Sequence, residues 1–180
     1  MNDYSLGNTR RFSVGFTAIV TTLLLWLGAC TIVDGVMMPT MAASGITEQP
    51  EFAVVGYRFF SAFNRCELFA AAVAVVGALA AWKQRALQGW LARLSLGLAG
   101  SLLAIAWIDT YLLAPQMSGL SLNLSVLSAV TSPPLFPFSP DMMLLQGAYW
   151  GLESLKLAMA LGMVALCWRS LALPSNRLAD

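Results

Sequence analysis

The amino-acid sequence predicts an all-α polytopic membrane protein: a four-transmembrane-helix bundle built from two repeated helical hairpins, forming a single transmembrane domain over residues 1–180. Two observations predict this. The chain is 58% hydrophobic and only 11% charged, with a mean hydropathy of +0.72, whereas soluble domains are about 45–50% apolar and about 25% charged. Four apolar stretches also reach the ~20 residues that a ~30 Å hydrocarbon core requires. None shows the period-two alternation of a barrel strand.

The first span is expected over residues 12–39, behind the basic pair Arg10-Arg11. This segment, ending Leu27-Gly28-Ala29-Cys30, also has the look of a bacterial lipoprotein signal. The chain stays apolar beyond Cys30 and three more spans follow, which favours a membrane helix. The second span covers residues 54–82 and ends at Trp82-Lys83, the third covers 91–114 behind Arg93, and the fourth covers 144–171 with Trp168-Arg169 near its end. Lys83, Arg85 and Arg93 frame the loop between the second and third spans, and Arg177 follows the fourth. The other two connections carry Glu48, Glu51 and Asp141 instead. Basic residues mark the cytoplasmic side, so both termini are expected there, in a bacterial inner membrane or a thylakoid. Trp82 and Trp168 take the positions of interfacial anchors.

Composition also limits function. A net charge of +1, with no basic tail or stripe, gives nucleic acid no footprint. Histidine is absent, which removes the commonest ligand of haem and zinc and the usual proton shuttle, so no cofactor or metal is predicted. Cys30, Cys66 and Cys167 are far apart, lie in apolar stretches and read as buried free thiols.

The two halves resemble each other. Placing Glu67 over Glu153 aligns Phe63 with Tyr149, Ala72 with Ala158, Trp82 with Trp168 and Lys83 with Arg169 at one offset. Asp34…Pro39-Thr-Met41 resembles Asp109…Pro115-Gln-Met117 with a one-residue slip. Two hairpins entering from the same side imply a pseudo-twofold axis along the membrane normal. Small residues four apart (Ala70 and Ala74, Gly77 and Ala81, Gly97 and Ser101, Gly100 and Ala104, Ala158 and Gly162) are expected where helix backbones approach closely.

The informative residues are polar ones inside the spans: Asp34, Arg58, Asn64, Arg65, Glu67, Asp109, Glu153 and Lys156. Glu67 and Glu153 each lie about 22 Å along the helix from their tryptophans, so the layer falls in the non-cytoplasmic third of the bilayer. A charge at the bilayer centre costs about 2.5–3.5 kcal/mol on insertion scales, so the group is expected to point inward, three cations against four acids. Glu153 and Lys156, three residues apart, can pair on one face. Glu67 needs a partner on another helix, and Asn64 shares its face. The layer is either a structural ion-pair network or a pocket for a proton, cation or small ligand.

The connection over residues 116–143 is long for neighbouring helices. Residues 121–126 alternate like a short strand, and Ser132-Pro133-Pro134-Leu-Phe136-Pro-Phe138 is too proline-rich for a helix. This segment is a candidate partner-contact loop through Pro133, Pro134, Phe136 and Phe138.

Gly35-Val-Met-Met-Pro39, residues 59–67, residues 111–117 and Gly147-Ala-Tyr-Trp-Gly-Leu-Glu-Ser154 together resemble a family of small bacterial four-helix membrane proteins. That family is related to the eukaryotic transmembrane proteins associated with cisplatin resistance. Its fourth span commonly starts with a histidine where this chain has aromatics, so any role of that histidine does not carry over. The family has no settled activity, so the resemblance implies the architecture and no particular chemistry.

Three functions follow as expectations. The first is a non-catalytic accessory or assembly subunit of a larger membrane complex, with a membrane-protein partner or a homo-oligomer and the lipid bilayer as its contacts. The second is a small transporter or ion-binding protein using Asp34, Glu67, Asp109 and Glu153, with Arg65 and Lys156 balancing charge. The third is a membrane enzyme acting on lipid or quinone, for which the sequence offers no nucleophile–base pair, phosphate loop or metal triad.

Overall fold

Peptide groups in hydrocarbon have no water to bond, so an apolar chain must satisfy them internally as helix. The computed structural model, which describes residues 3–83, 89–120 and 140–172, follows that rule. Helix α1 (Asp3–Ile32) passes through a π turn (Val33–Met37) into α2 (Met38–Ala43). A 3-10 turn (Ile46–Glu48) leads to α3 (Pro50–Lys83). Helix α4 (Trp90–Ile108) passes through a second π turn (Asp109–Leu113) into α5 (residues 114–120), and α6 (Pro140–Ala172) completes the bundle. The stretches Ile19–Ala43, Val54–Lys83, Trp90–Leu120 and Met143–Arg169 are long and apolar enough to cross a membrane.

Local sequence explains the ends. Both α3 and α6 start at a proline, where the missing N–H would be unpaired in any case. The chain leaves α2 through Gly45, which has a left-handed φ of 72° open to glycine. The expected ends at residues 39 and 114 move outward, to Ala43 and Leu120. The reason lies in Pro39 and Pro115, whose rings cannot donate a bond and would press on the carbonyl four residues back. One residue ahead of each, the helix widens by one residue: the Met38 N–H bonds the Val33 carbonyl, and the Ala114 N–H bonds the Asp109 carbonyl. The wider turn absorbs the proline without ending the helix.

The spans form a closed ring: α3 packs against α1 and α4, and α6 packs against the same two. The inward stripe of each helix repeats every three or four residues. It consists of Ile19, Leu23, Trp26, Cys30 and Asp34 on the first span; Asn64, Glu67, Ala71, Ala74 and Ala78 on the second; Ala92, Ser95, Ala99, Leu102, Ala106 and Asp109 on the third; and Glu153, Lys156, Ala160, Met163 and Cys167 on the fourth. The outer surface is the apolar one, with Leu25, Phe69, Val76, Leu144 and Leu161 exposed, as suits contact with lipid. Trp82, Trp90 and Trp168 are exposed at one end of the bundle, in the arrangement of an aromatic belt.

The small residues divide. Ala70, Ala74 and Ala81 are buried, and Gly77 lies so close to α1 that an added Cβ would collide with the Ile19 side chain. On α4, by contrast, Gly97, Gly100, Ser101 and Ala104 face outward, and an added Cβ at either glycine meets nothing within 4 Å. The expectation of close packing therefore holds for α3 and is corrected for α4, whose inward face carries Ser95, Ala99 and Leu102 instead. Cys30 and Cys167 are buried as expected, whereas Cys66 is exposed.

Gly77→Val should lower stability by about 1–3 kcal/mol through overpacking against the buried Ile19. Gly97→Val should change it little. Thermal unfolding of both variants in one detergent checks the contrast.

Candidate functional site

Helical spacing dictates which charges can meet. Residues three or four apart share a face, which groups Asn64 with Glu67, Glu153 with Lys156, and Trp26, Cys30 and Asp34 with one another. All of these side chains are buried, as are Asp109 and Thr110. They converge at one level of the bundle, near the midpoints of α3 and α6.

The ammonium of Lys156 is the centre. Its Nζ lies 2.6 Å from Glu67 Oε2, 2.9 Å from Asp109 Oδ2 and 2.5 Å from Glu153 Oε1. Glu67 and Glu153 accept hydrogen bonds from this ammonium, and Asp109 is held at ion-pair distance. Glu67 is the best-satisfied acid, because its other oxygen accepts from Trp26 Nε1 at 2.9 Å and from the Cys30 thiol at 3.1 Å. The first span thus joins the network through two neutral donors.

Asp34 is in the opposite condition. It is only 7% exposed, and neither of its oxygens has a hydrogen-bond partner among the described residues. Glu153 Oε2, both Asp109 oxygens, the Asn64 amide and the Tyr149 hydroxyl are likewise buried without a hydrogen-bond partner there. Unpaired polar groups of this kind are rare inside proteins, since each costs about 1–3 kcal/mol. The π turns set part of the geometry: Asp34 is the second residue of one and Asp109 the first residue of the other. Thr110 donates to the Ala106 carbonyl at 2.7 Å and to the Asn64 carbonyl at 3.4 Å, tying the third span to the second.

Of the eight polar residues expected in the layer, six (Asp34, Asn64, Glu67, Asp109, Glu153 and Lys156) come together. Arg65 does not: it is exposed, as is Arg58. Arg65 stands two residues before Glu67 and Arg58 nine before it, about 200° and about 180° around the helix, so an inward Glu67 turns both outward. The expected balance of three cations against four acids is corrected to one ammonium against four. Asn64 bridges to the third span through its main-chain carbonyl, not its side chain. Trp26, Cys30, Thr110 and Tyr149 were not among the expected site residues. The stride 26, 30, 34 along one helical face was the signal for the first two. Residues Pro133, Pro134, Phe136 and Phe138 of the expected contact loop, and the strand expected at 121–126, lie outside the described residues.

Two acidic groupings have the proximity of a cation site. Glu67, Asp109 and Glu153 form one, and Cys30, Asp34 and Glu153 the other; in each, one ligand atom per residue lies within 4.8 Å of the others. The first surrounds Lys156. Compared with protein-family models, curated proteins and solved structures, the chain matches none.

Removing the ammonium leaves three buried carboxylates without a counter-charge, so Lys156→Met should cost about 3–5 kcal/mol. Lys156→Arg should recover only part of this, because a planar guanidinium does not meet three converging acids as an ammonium does. Glu153→Gln added to Lys156→Met should recover more by deleting one of the stranded charges. Melting of the four proteins in detergent gives the order.

Proposed function

We propose that the protein is a small intramembrane cation-binding protein of the transporter type, and that its site is the carboxylate cluster around Lys156. One observation carries this reading: four buried carboxylates face a single ammonium, leaving both oxygens of Asp34, both of Asp109 and one of Glu153 without a hydrogen-bond partner among the described residues. A network serving only to hold helices together gains nothing from uncompensated charge in low dielectric, which is costly. A site that takes up a proton or a cation needs such charge. Intramembrane ionisable groups commonly mark pathways of this kind.

The accessory-subunit reading keeps one specific support. Arg65 is exposed about 16 Å along α3 from Val54, a depth that even a snorkelling side chain does not easily escape. It has no ion-pair partner among the described residues, and an acid on a neighbouring membrane protein or on a second copy would supply one.

The remaining expectations stand as part of the proposal. Both termini are placed on the cytoplasmic side of a bacterial inner or thylakoid membrane by the basic residues. Descent from a duplicated hairpin is supported by the two π turns, each starting six residues before its proline, at Pro39 and Pro115. The likeness to the family related to the cisplatin-resistance-associated proteins rests on the motifs quoted above.

Protein in proteoliposomes should dissipate an imposed proton or cation gradient, and Asp34→Asn and Glu153→Gln should each reduce that flux at least tenfold while Cys66→Ser leaves it intact. Fluorescent indicators trapped inside the vesicles read the flux. Equal flux through wild type and both carboxylate variants would contradict the reading. For the second reading, native mass spectrometry of gently extracted protein should show a heavier complex that Arg65→Gln dissolves.

A further inference from the structure

The cluster has two halves with different chemistry. Glu67, Asp109 and Glu153 already hold a cation, the tethered ammonium of Lys156. The other half is the corner made by Cys30 and Asp34, one turn apart on the first span, and by Glu153 on α6, which packs against α1. Here both oxygens of Asp34 and Oε2 of Glu153 are buried without a hydrogen-bond partner among the described residues. Cys30 Sγ, an Asp34 oxygen and a Glu153 oxygen lie within 4.8 Å of one another. Glu153 belongs to both halves: its Oε1 lies on the ammonium, and its Oε2 is buried without a hydrogen-bond partner among the described residues.

We infer that this corner binds a divalent metal ion of the zinc class, with Cys30, Asp34 and Glu153 as its ligands. The inference rests on the cation-binding reading above and names the cation. The donor set decides between candidates. Sodium, magnesium and calcium are hard ions that want six or more oxygens or ordered waters. A thiol beside two carboxylates suits a borderline ion that accepts sulfur and oxygen in a small coordination shell. Zinc bonds of about 2.0–2.3 Å place tetrahedral ligand atoms about 3.3–3.8 Å apart, so the three side chains need close by no more than about 1.5 Å. Three protein ligands leave the fourth position open, as in sites that exchange or present their metal and unlike closed structural sites.

The proton balance is local. The S–H bond of Cys30 breaks as the sulfur–metal bond forms, and the proton passes to Glu67 Oε1, which already accepts the thiol hydrogen bond at 3.1 Å. Nothing is oxidised or reduced. The ion brings two positive charges and the proton stays within the cluster, so two of its three uncompensated negative charges are cancelled. Lys156 keeps its place throughout, holding Glu153 by one oxygen while the other meets the metal.

Cobalt(II) titrated into the full-length protein in detergent tests this without any variant. One equivalent should produce a near-ultraviolet thiolate-to-cobalt charge-transfer band and the strong visible bands of a tetrahedral ion, and zinc should abolish both. Cys30→Ser should remove the charge-transfer band, Cys66→Ser and Cys167→Ser should keep it, and Asp34→Asn should weaken zinc binding by about 100-fold. A cobalt spectrum lacking the charge-transfer band, together with gradient dissipation that still depends on Asp34, would overturn the zinc assignment and leave the cation reading standing. No binding of any cation, with flux indifferent to Asp34, would overturn both.

Discussion

The Lys156 ammonium lies within ion-pair distance of three carboxylates: Glu67 from α3, Asp109 from the second π turn and Glu153 from the same helix as the lysine. Most of what is particular to this bundle depends on that convergence. Lipid supplies no hydrophobic drive between helices, and the facing residues of α3 and α4 are largely alanines, which pack in many registers. A buried ion that tolerates only one arrangement of its partners removes that freedom. Shifting α3 against α6 by one turn would strand Glu67, and reordering the ring would separate Asp109 from the lysine. The first span has no charge on the ammonium, yet Trp26 and Cys30 fasten it to the free oxygen of Glu67. All four spans are therefore tied to one point.

The same point divides the cluster into a closed part and an open one. Around Lys156 three acids share one cation, whereas Asp34 is buried with neither an ion-pair nor a hydrogen-bond partner among the described residues. The prolines bear on this asymmetry. Pro39 and Pro115 each force a widened turn, and the two aspartates sit at successive positions of those turns, Asp34 one residue later than Asp109. That single step separates an aspartate on the ammonium from one directed at the corner beside Cys30. It also gives the one-residue slip between the halves a physical meaning: the backbone features align through the prolines, and the acids do not.

Much of this was legible in the sequence, for reasons that particular residues make plain. Hydropathy located the spans because a 20-residue apolar run has few alternatives to a membrane helix. Glu153 with Lys156, and Asn64 with Glu67, were readable from helical spacing alone. Arg65 was not placed correctly although the rule that excludes it is the same one: with Glu67 inward, a residue two positions away must point outward. The pull of charge balance toward pairing every cation with an acid obscured that. The π turns could not be read from periodicity, since a single widened turn shifts the pattern by less than the stripes vary, and only the prolines hinted at them. The part played by Trp26 and Cys30 was hidden because apolar-looking residues on a core stripe are usually only packing, and their donor groups matter here only because Glu67 lies opposite.

The central claim is that one ammonium holds three acids at once, and the protein offers a direct way to see it. The chain has only two lysines, Lys83 and Lys156, and Lys83 is exposed at the end of α3. Solid-state NMR of protein in lipid bilayers, with 15N at lysine Nζ and 13C at aspartate and glutamate carboxyl carbons, can therefore count the acids on each ammonium. The account predicts one lysine nitrogen dipolar-coupled to three carboxyl carbons at ion-pair range, with one coupling lost in each of Glu67→Gln, Asp109→Asn and Glu153→Gln. A Lys156 nitrogen coupled to Glu153 alone would contradict the account, reducing the hub to an ordinary pair on one helix face.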